Sequence, residues 1–310
     1  MKNKLAIFAA LCAMTTLFFA AEQVIQAAKF ALRLCVELII PSLFPFFVLS
    51  ILLNRLGCSQ LMSKRLSGAG AAALFVGLTG GYPLGAVYIA GMVERGVIDD
   101  AEGSRLLGYC NNSGPAFIIG AVGAGIFNSA AVGLMLYICH IAAALLTGLV
   151  LCKKSGVRGG EIKTVEFESF SRAFPAAVKD AVSAVLNVCG FAVCFSVFTA
   201  LLDANGFLTL MVEGLATVTK MPSEWLRAMF TGMLELSSGI GAMRGFEVSP
   251  ANLALAAFLL GWGGLSVHFQ TMAAIADTNI KGTPHLAGRL LSATFGSALA
   301  YFLALVFFRS

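Results

Sequence analysis

Glu235 is the residue best placed to do chemistry. It stands inside the apolar stretch Gly232-Met-Leu-Glu-Leu-Ser-Ser-Gly-Ile-Gly-Ala242, where a carboxylate is costly unless protonated, paired or facing water. There it could couple to a proton or a cation, or accept hydrogen bonds from solute hydroxyls. The plainer alternatives are pairing with Arg244 or capping a backbone turn. Asn111, Asn112 and Ser113 carry amide and hydroxyl groups able to bond a nucleobase or sugar. The same groups cap a half-helix, but capping needs one such residue and three are present. Thr79, Tyr82, Ser238, Ser266 and His268 complete the candidates for solute contact, with Ser237 and Gln270 beside them. His268 is either a group titrating near neutrality or a packing histidine, and His140 and His285 read as structural. The eight cysteines form no CxxC pair and no metal-ligand spacing with histidine, so they read as small apolar packing residues and no metal or cofactor site is expected.

Every candidate lies at or near a break in apolar sequence. Gly77-Leu-Thr-Gly-Gly-Tyr-Pro-Leu-Gly85 interrupts one run with four glycines and a proline, residues that do not propagate a helix. Asn111-Asn-Ser-Gly-Pro115 interrupts a second, with a helix-start signal at Pro115. Glu235 to Gly239 and Gly263 to His268 interrupt two more. The hairpin tips and helix breaks are thus expected at Gly80, Gly81, Pro83, Gly85, Gly114, Pro115, Gly239, Gly263 and Gly264. In lipid, broken backbone survives only where protein buries it or a wet cavity receives it.

The composition supplies that lipid setting. The chain is 58% hydrophobic and 12% charged, with a mean hydropathy of +0.87, against about 25% charged residues in soluble domains. Apolar runs long enough to cross a bilayer recur from end to end, so the protein is expected to be all-α, polytopic and in contact with the lipid bilayer. The net charge of +5 is small and concentrated in short loops, a topology signal that speaks against a nucleic-acid partner.

Along the chain, residues 1–21 read as an uncleaved N-terminal span. Residues 22–152 form a first unit, made of an interfacial helix over 22–34, a span over 35–53, a hairpin with arms of about 12 residues, a broken span and a further span. A polar linker over 153–171 follows. The same order restarts over 172–310. Ala-Leu-Leu-Asp-Ala-Asn-Gly206 answers Ile-Leu-Leu-Asn-Arg-Leu-Gly57, and Leu259-Leu-Gly-Trp-Gly-Gly-Leu-Ser266 answers Leu106-Leu-Gly-Tyr-Cys-Asn-Asn-Ser113. Counting crossings from a cytoplasmic N-terminus, with Arg55, Lys64, Arg65, Lys153, Lys154, Lys281 and Arg289 inside, gives about seven transmembrane helices plus two re-entrant hairpins, in two inverted-topology repeats.

Gly-Gly-Tyr82-Pro83-Leu-Gly-Ala, Asn111-Asn-Ser-Gly-Pro115-Ala-Phe-Ile-Ile-Gly and Gly232-Met-Leu-Glu235 together resemble the YlbJ-like sporulation integral membrane proteins. These sit within the nucleoside-recognition, or Gate, domain group, which includes parts of concentrative nucleoside transporters and of ferrous-iron transporter B. The resemblance implies a bacterial inner or forespore membrane, hairpin-containing repeats and a role in spore formation. In the nucleoside transporters hairpin-tip acids contact substrate, a role that falls on Glu235; the first hairpin has Gly80 and Gly81 where an acid would stand. The expectation is a permease-like secondary transporter of a small polar solute, nucleoside-related, with a coupling proton or cation. The alternative is a membrane protein that recruits partners or organises the membrane without transporting. A homo-oligomer is compatible with either. Ser113 and Gly264-x-x-x-His268 also resemble the serine and histidine segments of rhomboid-type proteases. Glycine is absent two residues before Ser113, however, and both segments already correspond as parts of a repeat, so no enzymatic activity is expected.

Overall fold

The computed structural model describes residues 2–58, 69–152 and 168–308. The loop charges Lys64, Arg65, Lys153, Lys154, Arg158 and Lys163, and most of the expected linker, lie outside the described residues. Those described form helices and connecting turns, with no strand among them.

Helix α1 runs over Lys2–Phe19 and α2 over Ala21–Leu34, and α2 passes through a π-helical turn at Cys35–Ile39 into α3, Ile40–Arg55. The expected interfacial helix and span are therefore one continuous helix. The physical reason is local: Pro41 and Pro45 each remove a backbone donor. The widened turn before Pro41, with Ser42 Oγ donating to the carbonyls of Leu38 (2.6 Å) and Ile39 (3.2 Å), absorbs the disturbance without ending the helix. At 35 residues it is about 52 Å long, more than the roughly 30 Å hydrocarbon core. Its polar first turns can thus extend past the lipid while the remainder crosses.

The first hairpin is α4, Ala69–Gly80, and α5, Leu84–Glu94. Its 12- and 11-residue arms are each under about 20 Å long and too short to cross alone. The broken helix follows as α6, Asp100–Cys110, and α7, Ala116–Ile126, the latter wound as a π-helix; α8 is Ala130–Cys152. Asp99 starts α6 by accepting the Glu102 N–H at 2.7 Å, a side-chain N-cap. In the second half α9 spans Phe170–Ala204 without interruption, followed by α10, Phe207–Thr219, an apolar helix with no counterpart in the sequence reading. Then come α11, Ser223–Leu234; α12, Leu236–Ala242; α13, Pro250–Trp262; α14, Gly264–Ala274; and α15, Thr283–Phe307. Hairpin, broken helix and long helix follow one another in both halves.

Among the described residues five helices are long and apolar enough to cross a membrane: 21–55, 130–151, 170–204, 250–274 across its break, and 283–307. The chain is a polytopic helical membrane protein. The halves interlock, because α9 packs along α2 and α3 while α15 packs along α8 and α6 as well as α13. Small residues allow the closest approaches. A Cβ at Gly288 would lie 1.8 Å from the Gly108 carbonyl oxygen, so α15 and α6 touch backbone to backbone. Cys35, Cys110, Cys139 and Cys189 are buried, the first and last two within the main apolar core.

Candidate functional site

Each hairpin docks its tip on the neighbouring helix break. Gly81, at φ +82°, faces Gly114: a Cβ on Gly81 would sit 2.8 Å from the Gly114 nitrogen. Only glycine adopts that backbone and leaves that space. In the second half Gly264, at φ +78°, lies against the Gly232 carbonyl oxygen and the Leu236 nitrogen, each 3.0 Å from a Cβ built there.

The backbone groups released at these breaks are met by side chains from elsewhere. The Ser113 N–H donates to His140 Nε2 (3.1 Å), the Ala86 N–H at the start of α5 donates to Asn111 Oδ1 (3.2 Å), and Asn111 Nδ2 donates to Thr271 Oγ1 on α14 (2.9 Å). At the ends of α4 and α11, Tyr137 Oη donates to the Leu78 carbonyl (3.2 Å) and Trp262 Nε1 to the Met233 carbonyl (3.1 Å). Satisfaction by protein is what a membrane interior requires of irregular backbone.

Glu235 is the single residue between α11 and α12. It is extended, at φ −139°, and 3% exposed. Its carboxylate accepts the N–H groups of Ser237 (3.0 Å) and Ser238 (2.5 Å), one on each oxygen, so it caps α12. Of the plainer roles weighed for it, capping is present. Arg244 is exposed and forms no ion pair with it.

Both tips and both breaks meet at a central cavity of about 40 Å³. Gly81, Tyr82, Ser113, Gly114, Glu235 and Ser237 line it together with Ser266 and Gln270. The other sequence candidates are placed differently. Asn111 and Asn112 are fully buried and committed to internal hydrogen bonds, Asn112 Nδ2 donating to the Tyr109 carbonyl at 2.8 Å. Ser238 shares a hydrogen bond with Ser196 of α9 at 2.7 Å. His268 stacks edge-on between Trp262 and His285, with neither ring nitrogen partnered. Thr79 donates back to the Phe75 carbonyl (2.7 Å) and lines a separate 210 Å³ cavity with Pro115.

Arg289 requires a correction. Read as a cytoplasmic loop charge, it is instead 0% exposed in α15. Its Nη1 donates to Tyr82 Oη and Asn112 Oδ1, both at 3.0 Å, and its Nη2 to the Gly108 carbonyl at 3.2 Å and Ser292 Oγ at 3.4 Å. It carries no ion pair among the described residues. An arginine seven residues inside the Gly282 cap of an apolar helix, flanked by Gly288, Ser292, Ala293 and Gly296, is the signal that marks an intramembrane charge; proximity to Lys281 masked it.

A second chamber was not visible in the sequence. A vestibule of about 560 Å³ opens between α3, α5 and α9. Its walls carry Ser50 and Asn54 of α3 opposite Asp180, Ser183 and Asn187 of α9, polar rows at helical spacing. Arg55 lies at one end, bonded to Glu168 at 2.7 Å and Asp180 at 2.6 Å. Pro83 and Leu84 of the first hairpin line it as well. The two chambers meet across single peptide bonds, since Tyr82 and Val188 line the central cavity while Pro83 and Asn187 line the vestibule.

Fold and site together define a polytopic membrane protein whose broken helices enclose a buried polar centre. The chain is YlbJ-like: it is similar to the sporulation integral membrane protein YlbJ of Bacillus subtilis (strain 168), with 29% identity over 313 aligned positions covering 90% of this chain and 77% of that protein. No family model matches the chain, and no solved structure matches it.

Proposed function

We propose that the protein is a permease-like secondary transporter of the nucleoside-recognition, or Gate, type, moving a small polar solute across the bacterial inner membrane. The observation that carries this reading is the convergence of two hairpin tips and two helix breaks on one small cavity that sets Glu235, Ser113, Ser266 and Gln270 in a largely apolar lining, the construction in which half-helix ends serve a solute or coupling ion. The vestibule supports it. Its 560 Å³ falls within the roughly 300 to 1,000 Å³ of small-molecule sites, so a nucleoside-sized solute fits there. The 40 Å³ centre is far too small for one.

On this reading the solute waits against Pro83 and Leu84, and the first hairpin tip must move before it reaches Glu235, Ser113, Ser266 and Tyr82. A proton or cation couples the movement, without covalent chemistry. The two halves act as inverted repeats from a cytoplasmic N-terminus, and the relative's name extends the setting to sporulation.

Purified protein in liposomes, tested for uptake and for solute-induced stabilisation against a nucleoside and metabolite panel, is expected to respond to at least one solute. No response, together with rescue of a sporulation defect by Glu235→Gln, would overturn the transporter. The second reading, a non-transporting protein that recruits partners or organises the membrane during spore formation, has one observation in its favour: Glu235 spends both oxygens on a helix cap.

A further inference from the structure

Two buried side-chain oxygens at the centre of the molecule lack partners. Ser266 Oγ and Gln270 Oε1 make no hydrogen bond, although Ser266 is 1% exposed and Gln270 6% exposed. Both residues line the central cavity one helical turn apart on α14, and Glu235 of the second hairpin lines the same cavity. An orphaned polar atom in so buried a place is costly, and native structures assign it a partner. A carboxylate and an amide oxygen only accept, and the one serine hydroxyl cannot serve both, so an occupant that satisfies all three groups brings hydrogen-bond donors or positive charge.

Charge and size narrow the occupant. Glu235 is the buried carboxylate among the described residues, and Arg289, the buried cation, is spent on neutral oxygens and does not pair with it. One carboxylate balances one positive charge. Oxygen ligands of this kind suit hard cations, and a divalent ion would keep one charge unbalanced in a site with a single carboxylate. A 40 Å³ cavity has room for about three water-sized groups. That admits a partly hydrated sodium ion or a primary ammonium group and excludes a bulky quaternary amine.

We propose that the central cavity is a site for a small monovalent cation, bound by the Glu235 carboxylate, Gln270 Oε1 and Ser266 Oγ. This rests on the transporter reading only for its consequence, that cation occupancy accompanies solute movement. Binding itself is independent of any solute. The cation is either a metal ion or the ammonium group of an amine-bearing solute.

The test is thermal unfolding of the detergent-purified full chain at fixed ionic strength in sodium, methylammonium or choline chloride. Relative to choline, a saturable rise of about 2 to 4 °C is expected near tenfold excess over the dissociation constant. A rise with sodium alone assigns a metal ion, and a rise with methylammonium alone assigns an ammonium group. Gln270→Leu and the milder Ser266→Ala should each abolish or weaken the rise; either variant suffices if the other does not fold. Equal unfolding temperatures in all three salts, or an unchanged rise in both variants, would overturn the site. Cation binding without solute uptake would remove the transporter and leave the site standing, and cation-independent uptake would do the reverse.

Discussion

At the residue scale, Arg289 and Tyr82 hold the centre together. Tyr82 is carried on the first hairpin tip, where it lines the central cavity and its hydroxyl accepts a hydrogen bond from Arg289 Nη1 at 3.0 Å. Arg289→Leu would leave Asn112 Oδ1 and the Gly108 carbonyl without their charged donor. Each stranded buried group costs about 1 to 3 kcal/mol, so this variant should lose at least about 2 kcal/mol of stability. Tyr82→Phe should cost less, about 1 kcal/mol, because Nη1 keeps its bond to Asn112. Thermal unfolding in detergent checks the order. A smaller loss for Arg289→Leu than for Tyr82→Phe would show that the guanidinium is not the hub these bonds describe. Glu235 was legible as an intramembrane acid because nothing charged surrounds it in sequence. Arg289 was not, because charge near the start of an apolar run reads as a loop marker until the helix boundary is known.

At the element scale, glycine at the hairpin tips and at the crossings is what lets the pieces assemble. A Cβ on Gly77 would lie 1.5 Å from the Cys110 carbonyl oxygen, whereas one on Gly190, in the middle of α9, meets nothing within 4 Å. Gly77→Ala should therefore destabilise or misfold the protein, while Gly190→Ala should leave it intact or stabilise it by up to about 1 kcal/mol through helix propensity. Monodispersity by size exclusion and the unfolding temperature distinguish them, and equal behaviour would count against the tight packing of α4 on the α6 break. The breaks themselves were readable from sequence, since Gly81 to Pro83, Asn111 to Gly114, Glu235 and Gly263 are where the helices stop. The continuity of α2 into α3 was not, because Pro41 and Pro45 signal an end in soluble helices, while a membrane helix can absorb them with a widened turn. The vestibule escaped for a different reason. Its polar rows sit on α3 and α9, some 130 residues apart in the chain, and no local pattern pairs them.

At the scale of the whole molecule, the large vestibule and the small central cavity approach each other across single residues of α9 and of the first hairpin tip. Asn187 and Val188 are consecutive on α9 yet face different chambers, as do Pro83 and Tyr82 on the hairpin tip. Polar side chains in membrane helices are tolerated where they face water, so Ser183 and Asn187 in the 560 Å³ vestibule should be open to bulky solutes from the side that holds Arg55 and Glu168, whereas Ser266 in the 40 Å³ cavity should be open only to water-sized groups. Cysteines placed singly at Asn187 and Ser266 in a background without native cysteines, in sealed vesicles of known orientation, report this directly. A membrane-impermeant thiol reagent should label Asn187→Cys from one side only and much faster than Ser266→Cys. If Tyr82 is part of the wall, Tyr82→Phe should speed labelling of Ser266→Cys while leaving Asn187→Cys unchanged, because loss of the hydroxyl frees the tip from Arg289 without altering the vestibule. Equal labelling at Asn187 and Ser266 in the unaltered hairpin would mean that the two chambers are one. The tip would then not be the element whose movement admits a solute, and the gating role would pass to the second hairpin, where Glu235 both caps α12 and faces the cavity.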